Sequence, residues 1–152
     1  MEETLEQIIQ EKISADHLLY VSLKYTKTCD VMVNLLKRWK IMMDHTIEPL
    51  LEKAKKKKLI KEIPTAPKSK VDLINEIFKD EPIIIDAINL YQMFKLIETL
   101  QKSREQEFRK GVCLKVMYKG QEVLVNLEKL KEYSEILEKF INYTKLFLVS
   151  KN

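Results

Sequence analysis

The residues whose type and spacing suggest chemistry are cations, and they concentrate in one place. From Glu52 to Glu62, six lysines (Lys53, Lys55, Lys56, Lys57, Lys58 and Lys61) stand against two glutamates, a local +4 that equals the formal charge of the whole chain. Lys55 to Lys58 above all can attract phosphate backbones or acidic protein surfaces through salt-sensitive contacts. The same residues also read as a solvated helix end, where lysines complement the C-terminal dipole. Little aromatic interleaving accompanies the run to stack on single-stranded bases. Arg104 and Arg109 are the second cationic group, and with Lys55, Lys56, Lys57 and Lys58 they make up the candidate nucleic-acid contacts. Of 27 basic residues only Arg38, Arg104 and Arg109 are arginine, although planar recognition of phosphate favours that side chain. Such lysine richness equally suits solubility or a Lys/Glu-rich, thermophile-like composition.

Acid–base and metal chemistry have little to work with. His17 and His45 are the two histidines, 28 residues apart. On one straight helix that is roughly 42 Å, which excludes a shared site unless the helix folds back near its middle. Cys29 sits in a helical pattern and Cys113 in a strand pattern, with no nearby second cysteine or histidine pair to complete a zinc site. A reducing cytoplasm is the expected compartment. Tyr20, Ser22, Tyr25, Thr26, Thr28 and Asp30 form a hydroxyl-rich stretch that can line a polar pocket, or pack within a helix with the hydroxyls bonded to the preceding turn. Gly111 and Gly120 are the two glycines, too few for a glycine-rich phosphate loop, and no nucleophile elbow is present. No catalytic residue, metal ligand or cofactor is therefore assigned.

The elements that must position these residues follow from hydrophobic spacing. The chain has 152 residues, 45% hydrophobic and 33% charged, which suits a single domain spanning 1–152 with a real core. Apolar residues recur every three or four positions almost throughout, so the fold class is mainly α: a bundle of about five helices with one small β-hairpin before the last helix. Glu2 to Lys12 predicts a short helix. Ser14 is the expected N-cap of a long one carrying the stripe Leu18, Val21, Tyr25, Cys29, Met32, Leu36, Trp39, Met43, Ile47, Leu50 and Ala54, kinked or broken at Pro49. Ser69 and Asp72 suggest a capping box for the next helix. A further helix starts near Pro82 and is expected to reach Arg109 or Lys110, with Gly111 as its stop. Its inner line turns polar at Gln101 and Arg104, which suits a cleft or a partner surface; the plainer alternative is a helix outrunning the bundle with Glu105 and Arg109 paired in water. Val112 to Val125 reads as the hairpin, turning at Lys119-Gly120, and Asn126 as the cap of the last helix. No stretch approaches the roughly 18 uncharged apolar residues of a membrane span. Met1 to Gln10 carry three acidic groups and no base, which fits neither an anchor nor a signal peptide.

The arrangement of four to five helices, with a long second helix and an arginine-bearing late helix, carries the segment Ser14-Ala15-Asp16-His17-Leu18-Leu19-Tyr20-Val21-Ser22-Leu23-Lys24-Tyr25-Thr26-Lys27-Thr28. It resembles archaeal uncharacterised proteins of the HEPN-like helical superfamily. The resemblance implies a helical fold and, in catalytic members, a ribonuclease with an Arg-x4–6-His motif paired across a homodimer. Arg104 matches the arginine, but Arg109, Lys110 and Gly111 stand where histidine belongs, so the resemblance implies a non-catalytic member.

The reading that follows is a cytoplasmic, non-enzymatic association or partner-binding module, linked to RNA or to a toxin–antitoxin system. It is expected to form a homodimer through the late helix, or to bind a protein partner, with RNA as a further ligand. Two alternatives stay open: a metal-independent ribonuclease using Arg104, and a nonspecific nucleic-acid binder led by Lys55 to Lys58.

Overall fold

A computed structural model describes residues 2–152, in which five helices are accompanied by a small three-stranded antiparallel sheet placed before the last helix. Helix α1 (Glu2–His17) does not end at Lys12. It runs on through a π-helical turn, Leu18–Ser22, and a last α turn, Leu23–Tyr25. Ser14, expected as an N-cap, is an exposed position inside it. Burial explains the continuity, because Ile8, Ala15, Leu19 and Leu23 all face the core, and breaking the helix at Ser14 would interrupt that stripe.

The break falls instead at Thr26–Thr28. Thr28 is extended, and its hydroxyl accepts the Val31 N–H at 3.3 Å. That bond satisfies one of the unpaired donors of the helix start, and Asp30 adds a favourable charge in the first turn. Helix α2 (Cys29–Lys56) then continues without a break past Pro49. Proline inside a helix costs about 3 kcal/mol, whereas each buried aliphatic side chain contributes about 1.5–3 kcal/mol. Ile47, Leu50 and Leu51 are all buried around Pro49, so packing outweighs the lost hydrogen bond. The early break also ends the stripe foreseen through Val21 and Tyr25, both of which are exposed. It folds α1 back along α2, as the Arg38–Glu11 ion pair at 3.1 Å shows, so the straight-rod separation of His17 and His45 does not apply.

Helix α3 (Pro67–Ile77) begins at Pro67, with Ala66 as an N-cap that makes no side-chain bond. Ser69 and Asp72 therefore lie within the helix and form no capping box, because the preset φ of proline starts it earlier. Helix α4 (Pro82–Leu96) is capped by the Glu81 carboxylate, which accepts the Ile83 N–H at 3.4 Å. It stops at Leu96, well short of Arg109. Lys102 closes its end, the ammonium donating to the carbonyls of Ile97, Glu98 and Leu100 at 2.7, 3.3 and 2.9 Å.

The chain then forms a strand that helical periodicity did not indicate. Strand β1 (Lys102–Glu105) pairs with β2 (Cys113–Tyr118), which pairs with β3 (Gln121–Asn126), in the order β1-β2-β3. Arg104 stands opposite Leu114, and Glu105 opposite Cys113. Gln101 and Arg104 thus continue no helix face, and Glu105 pairs with Lys115 at 2.9 Å rather than with Arg109. The hairpin and its turn are as expected, with Lys119 and Gly120 at φ 51° and 76°. Gly111 ends no helix; a Cβ there would stand 2.5 Å from the Gln106 amide oxygen, a contact that the flexible end of the Gln106 side chain can relieve by moving. Asn126 accepts the Lys129 N–H at 2.8 Å and starts α5 (Leu127–Val149), as its sequence suggests.

One hydrophobic cluster joins all five helices to the sheet. Trp39 stacks on Phe94 at 5.8 Å, and Phe94 meets Tyr133 edge-on at 5.9 Å. Leu114, Val116 and Val125 supply the buried face of the sheet, and Val112, just ahead of β2, is buried as well. Among the described residues no helix is long and apolar enough to cross a membrane.

Candidate nucleic-acid interface

The six cations picked out in the sequence do not form one surface. Lys55 and Lys56 occupy the last turn of α2. The Leu59 N–H donates to Ala54 O at 2.9 Å and the Lys58 N–H to Lys55 O at 3.0 Å, while Lys58 takes φ 63°. This is a Schellman stop with lysine in the place usually held by glycine. Lys57 reaches across to donate to Lys151 O at 2.6 Å and lies 5.6 Å from the centre of the Phe147 ring. The run therefore terminates a helix. At 1.5 Å per residue, α2 puts it about 40 Å from Asp30 at the other end.

Arg104 sits at that other end, where its guanidinium bonds the Asp30 carboxylate and, at 3.4 Å, Glu107. The pairing holds the Asp30 carboxyl below its ordinary pKa. It also ties the edge strand to the first turn of α2 and leaves Arg104 with two counter-charges. Arg109 is exposed in the loop between β1 and β2.

At the same end of α2 lies the stretch that the sequence offers either as a pocket lining or as helix packing. The hydroxyl-rich stretch is not packed inside a helix; Tyr20 is 55% exposed and Tyr25 78%. The π turn explains the outward aim, because the Leu23 N–H bonds back to Leu18 O, and the added residue rotates Tyr20 outward while Leu19 and Leu23 stay inside. The 106–111 loop docks against the same connection through the Phe108 N–H, which donates to Lys27 O at 2.6 Å. Phe108 adopts φ 66° and is 74% exposed. A bulky side chain in the left-handed region costs about 1–2 kcal/mol, and here almost no burial of the ring offsets that cost.

Cations lie near Tyr25 and Tyr20. The Lys24 ammonium lies 5.8 Å from the Tyr25 ring centre, and the Lys27 ammonium donates to Lys24 O at 2.7 Å. Lys24 and Lys27 line a groove of about 250 Å³ with Tyr20 and, from the start of α5, Lys131. Among the described residues, the ion pairs within 4 Å include none of these three lysines. The interleaving missing beside Lys55–Lys58 was present in the sequence at Tyr20, Lys24, Tyr25 and Lys27. Their helical spacing disguised it.

The two cysteines, 84 positions apart in the chain, meet here. Cys29 is fully buried, and its thiol donates to Cys113 O at 3.4 Å. Burial pushes both thiols above their ordinary pKa, more than the Glu105 N–H facing Cys29 or Lys115 near Cys113 lowers them. Protonated thiols at neutral pH are poor nucleophiles, so the contact joins α2 to the sheet. Among the described residues no group of three or more His, Cys, Asp or Glu side chains is placed to hold a metal ion.

Comparison of the chain with protein-family models, curated proteins and solved structures returns no match.

Proposed function

We propose that this chain is an association module that binds single-stranded RNA, with bases stacking on Tyr25 and Phe108 and phosphates meeting Lys24, Lys27 and Arg109. The observation that carries the reading is Phe108, an aromatic ring held outward in a strained backbone conformation whose N–H bonds Lys27, two residues from exposed Tyr25, in a segment whose lysines take part in none of the ion pairs of the described residues. Aromatic platforms interleaved with cations are the usual means of sequence-tolerant single-strand binding. The same chemistry supports the RNA link implied by the HEPN-like resemblance, but at residues outside the motif of that superfamily.

Anisotropy with a labelled oligouridylate tests it. Phe108→Ala and Tyr25→Ala should each weaken binding roughly 5- to 150-fold, since stacking contributes about 1–3 kcal/mol per base. Replacing Lys55 to Lys58 with glutamine should leave affinity within twofold. The reverse pattern would return the interface to the α2 terminus. RNA cleavage persisting in chelator and abolished by Arg104→Ala would instead establish the ribonuclease alternative.

A second reading, self-association, is favoured by Leu146 and Val149, 71% and 65% exposed near the end of α5. This moves the expected homodimer contact away from Gln101 and Arg104. Light scattering of Leu146→Glu tests it, a monomer in place of a wild-type dimer being the supporting result.

A further inference from the structure

We propose that the groove between the π turn of α1 and the first turns of α5 holds the phosphorylated end of a strand, a terminal phosphomonoester with its nucleoside. This rests on the single-strand reading above and assigns one subsite within it. The floor is apolar, made by Leu19, Leu23 and Leu127, and half-exposed Tyr20 stands beside it, which suits a ribose and base. The rim is Lys24, Lys27 and Lys131.

Charge selects the occupant. Some lysines along other grooves have carboxylate partners, Lys37 with Glu98 at 2.9 Å, Lys40 with Asp44 at 2.8 Å and Lys12 with Asp16 at 2.8 Å, whereas Lys68, Lys95 and Lys119 along the groove by Tyr118 have none and lie away from the Tyr25 and Phe108 segment. None of the ion pairs formed by the described residues involves the three rim lysines. Three cations around one groove exceed what the single charge of an internal phosphodiester can neutralise. A phosphomonoester carries close to two negative charges at pH 7 and has three acceptor oxygens. The Lys27 ammonium, with one proton given to Lys24 O, keeps two donors for it.

Size and position agree with one nucleotide rather than a longer segment. A groove of about 250 Å³ lies just below the usual range for small-molecule sites, roughly 300–1,000 Å³. Lys27 joins it to the stacking surface, because the residue lines the groove while its carbonyl receives the Phe108 N–H. A strand anchored by its end in the groove therefore leaves toward Tyr25 and Phe108.

The experiment compares octauridylates bearing a 5′-phosphate, a 3′-phosphate or hydroxyls at both ends, matched for ionic strength. At least one phosphorylated form should bind about tenfold tighter than the dihydroxyl form, as expected for added charge-assisted hydrogen bonds. Which form it is identifies the end. Lys131→Gln, an exposed substitution, should erase the difference, while Phe108→Ala should weaken all three alike. Equal affinity for the three oligomers, or a preference that survives Lys131→Gln, overturns the subsite and leaves the single-strand reading standing. Failure of all three to bind overturns both.

Discussion

Phe108 separates strain from function, so replacing it with alanine and with glycine should give two different answers in two assays. Alanine keeps the left-handed backbone and removes the ring. Because the ring is 74% exposed, only about a quarter of the 1.5–3 kcal/mol of a fully buried side chain is lost, about 0.4–0.8 kcal/mol. Glycine loses the same contacts but relieves about 1–2 kcal/mol of left-handed strain, against about 0.5–1 kcal/mol of extra chain entropy. Phe108→Gly should thus be more stable than Phe108→Ala by about 0.5–1 kcal/mol, a rise in Tm of about 1–4 °C for a domain of this size. Urea unfolding followed by circular dichroism reads the stability, and RNA anisotropy reads the binding. The two variants should bind equally poorly. A loss above about 3 kcal/mol in Phe108→Ala, the cost of a core phenylalanine, would refute the view that the ring serves a surface. Equal stability of the two variants would refute the strain.

Lys58→Gly should stabilise the protein by about 0.5–1 kcal/mol in urea unfolding, since the left-handed residue at the end of α2 then carries no Cβ. Thr28→Ala should cost about 1 kcal/mol, the usual loss of an N-cap, and Ser14→Ala close to nothing; the opposite ranking would restore the helix start to Ser14. Burial first, then the 2.6 Å hydrogen bond to Asp44, pushes the Tyr91 hydroxyl above its ordinary pKa. Its folded value exceeds its unfolded one, so its contribution is complete below about pH 10 and is lost as pH rises from there toward the folded value. Tyr91→Phe should therefore be destabilised by about 1 kcal/mol at pH 7 while unfolding less steeply with alkali, and an unchanged alkaline slope would count against this.

The sequence by itself determined the parts whose cause is local. The Lys119-Gly120 turn, the hairpin around it and the Asn126 cap each depend on residues a few positions apart, and each stands as written. Tertiary structure decided the rest by competition between local preference and burial. Pro49 carried the stronger breaking signal, yet α2 runs through it because buried aliphatics hold both sides, and the chain turns at Thr28 instead. The residues from Lys102 to Glu105 follow a helical period and become a strand because β2 offers a ladder and the Lys102 ammonium closes α4. The candidate interface was beyond reach for the same reason. Tyr25 and Phe108 are far apart in the chain, and only the early reversal at Thr26–Thr28 and the Phe108–Lys27 hydrogen bond bring their backbones together. Periodicity names the residues that face inward, but an added π residue and a positive φ turn side chains outward through three-dimensional contacts that no pattern of spacing encodes.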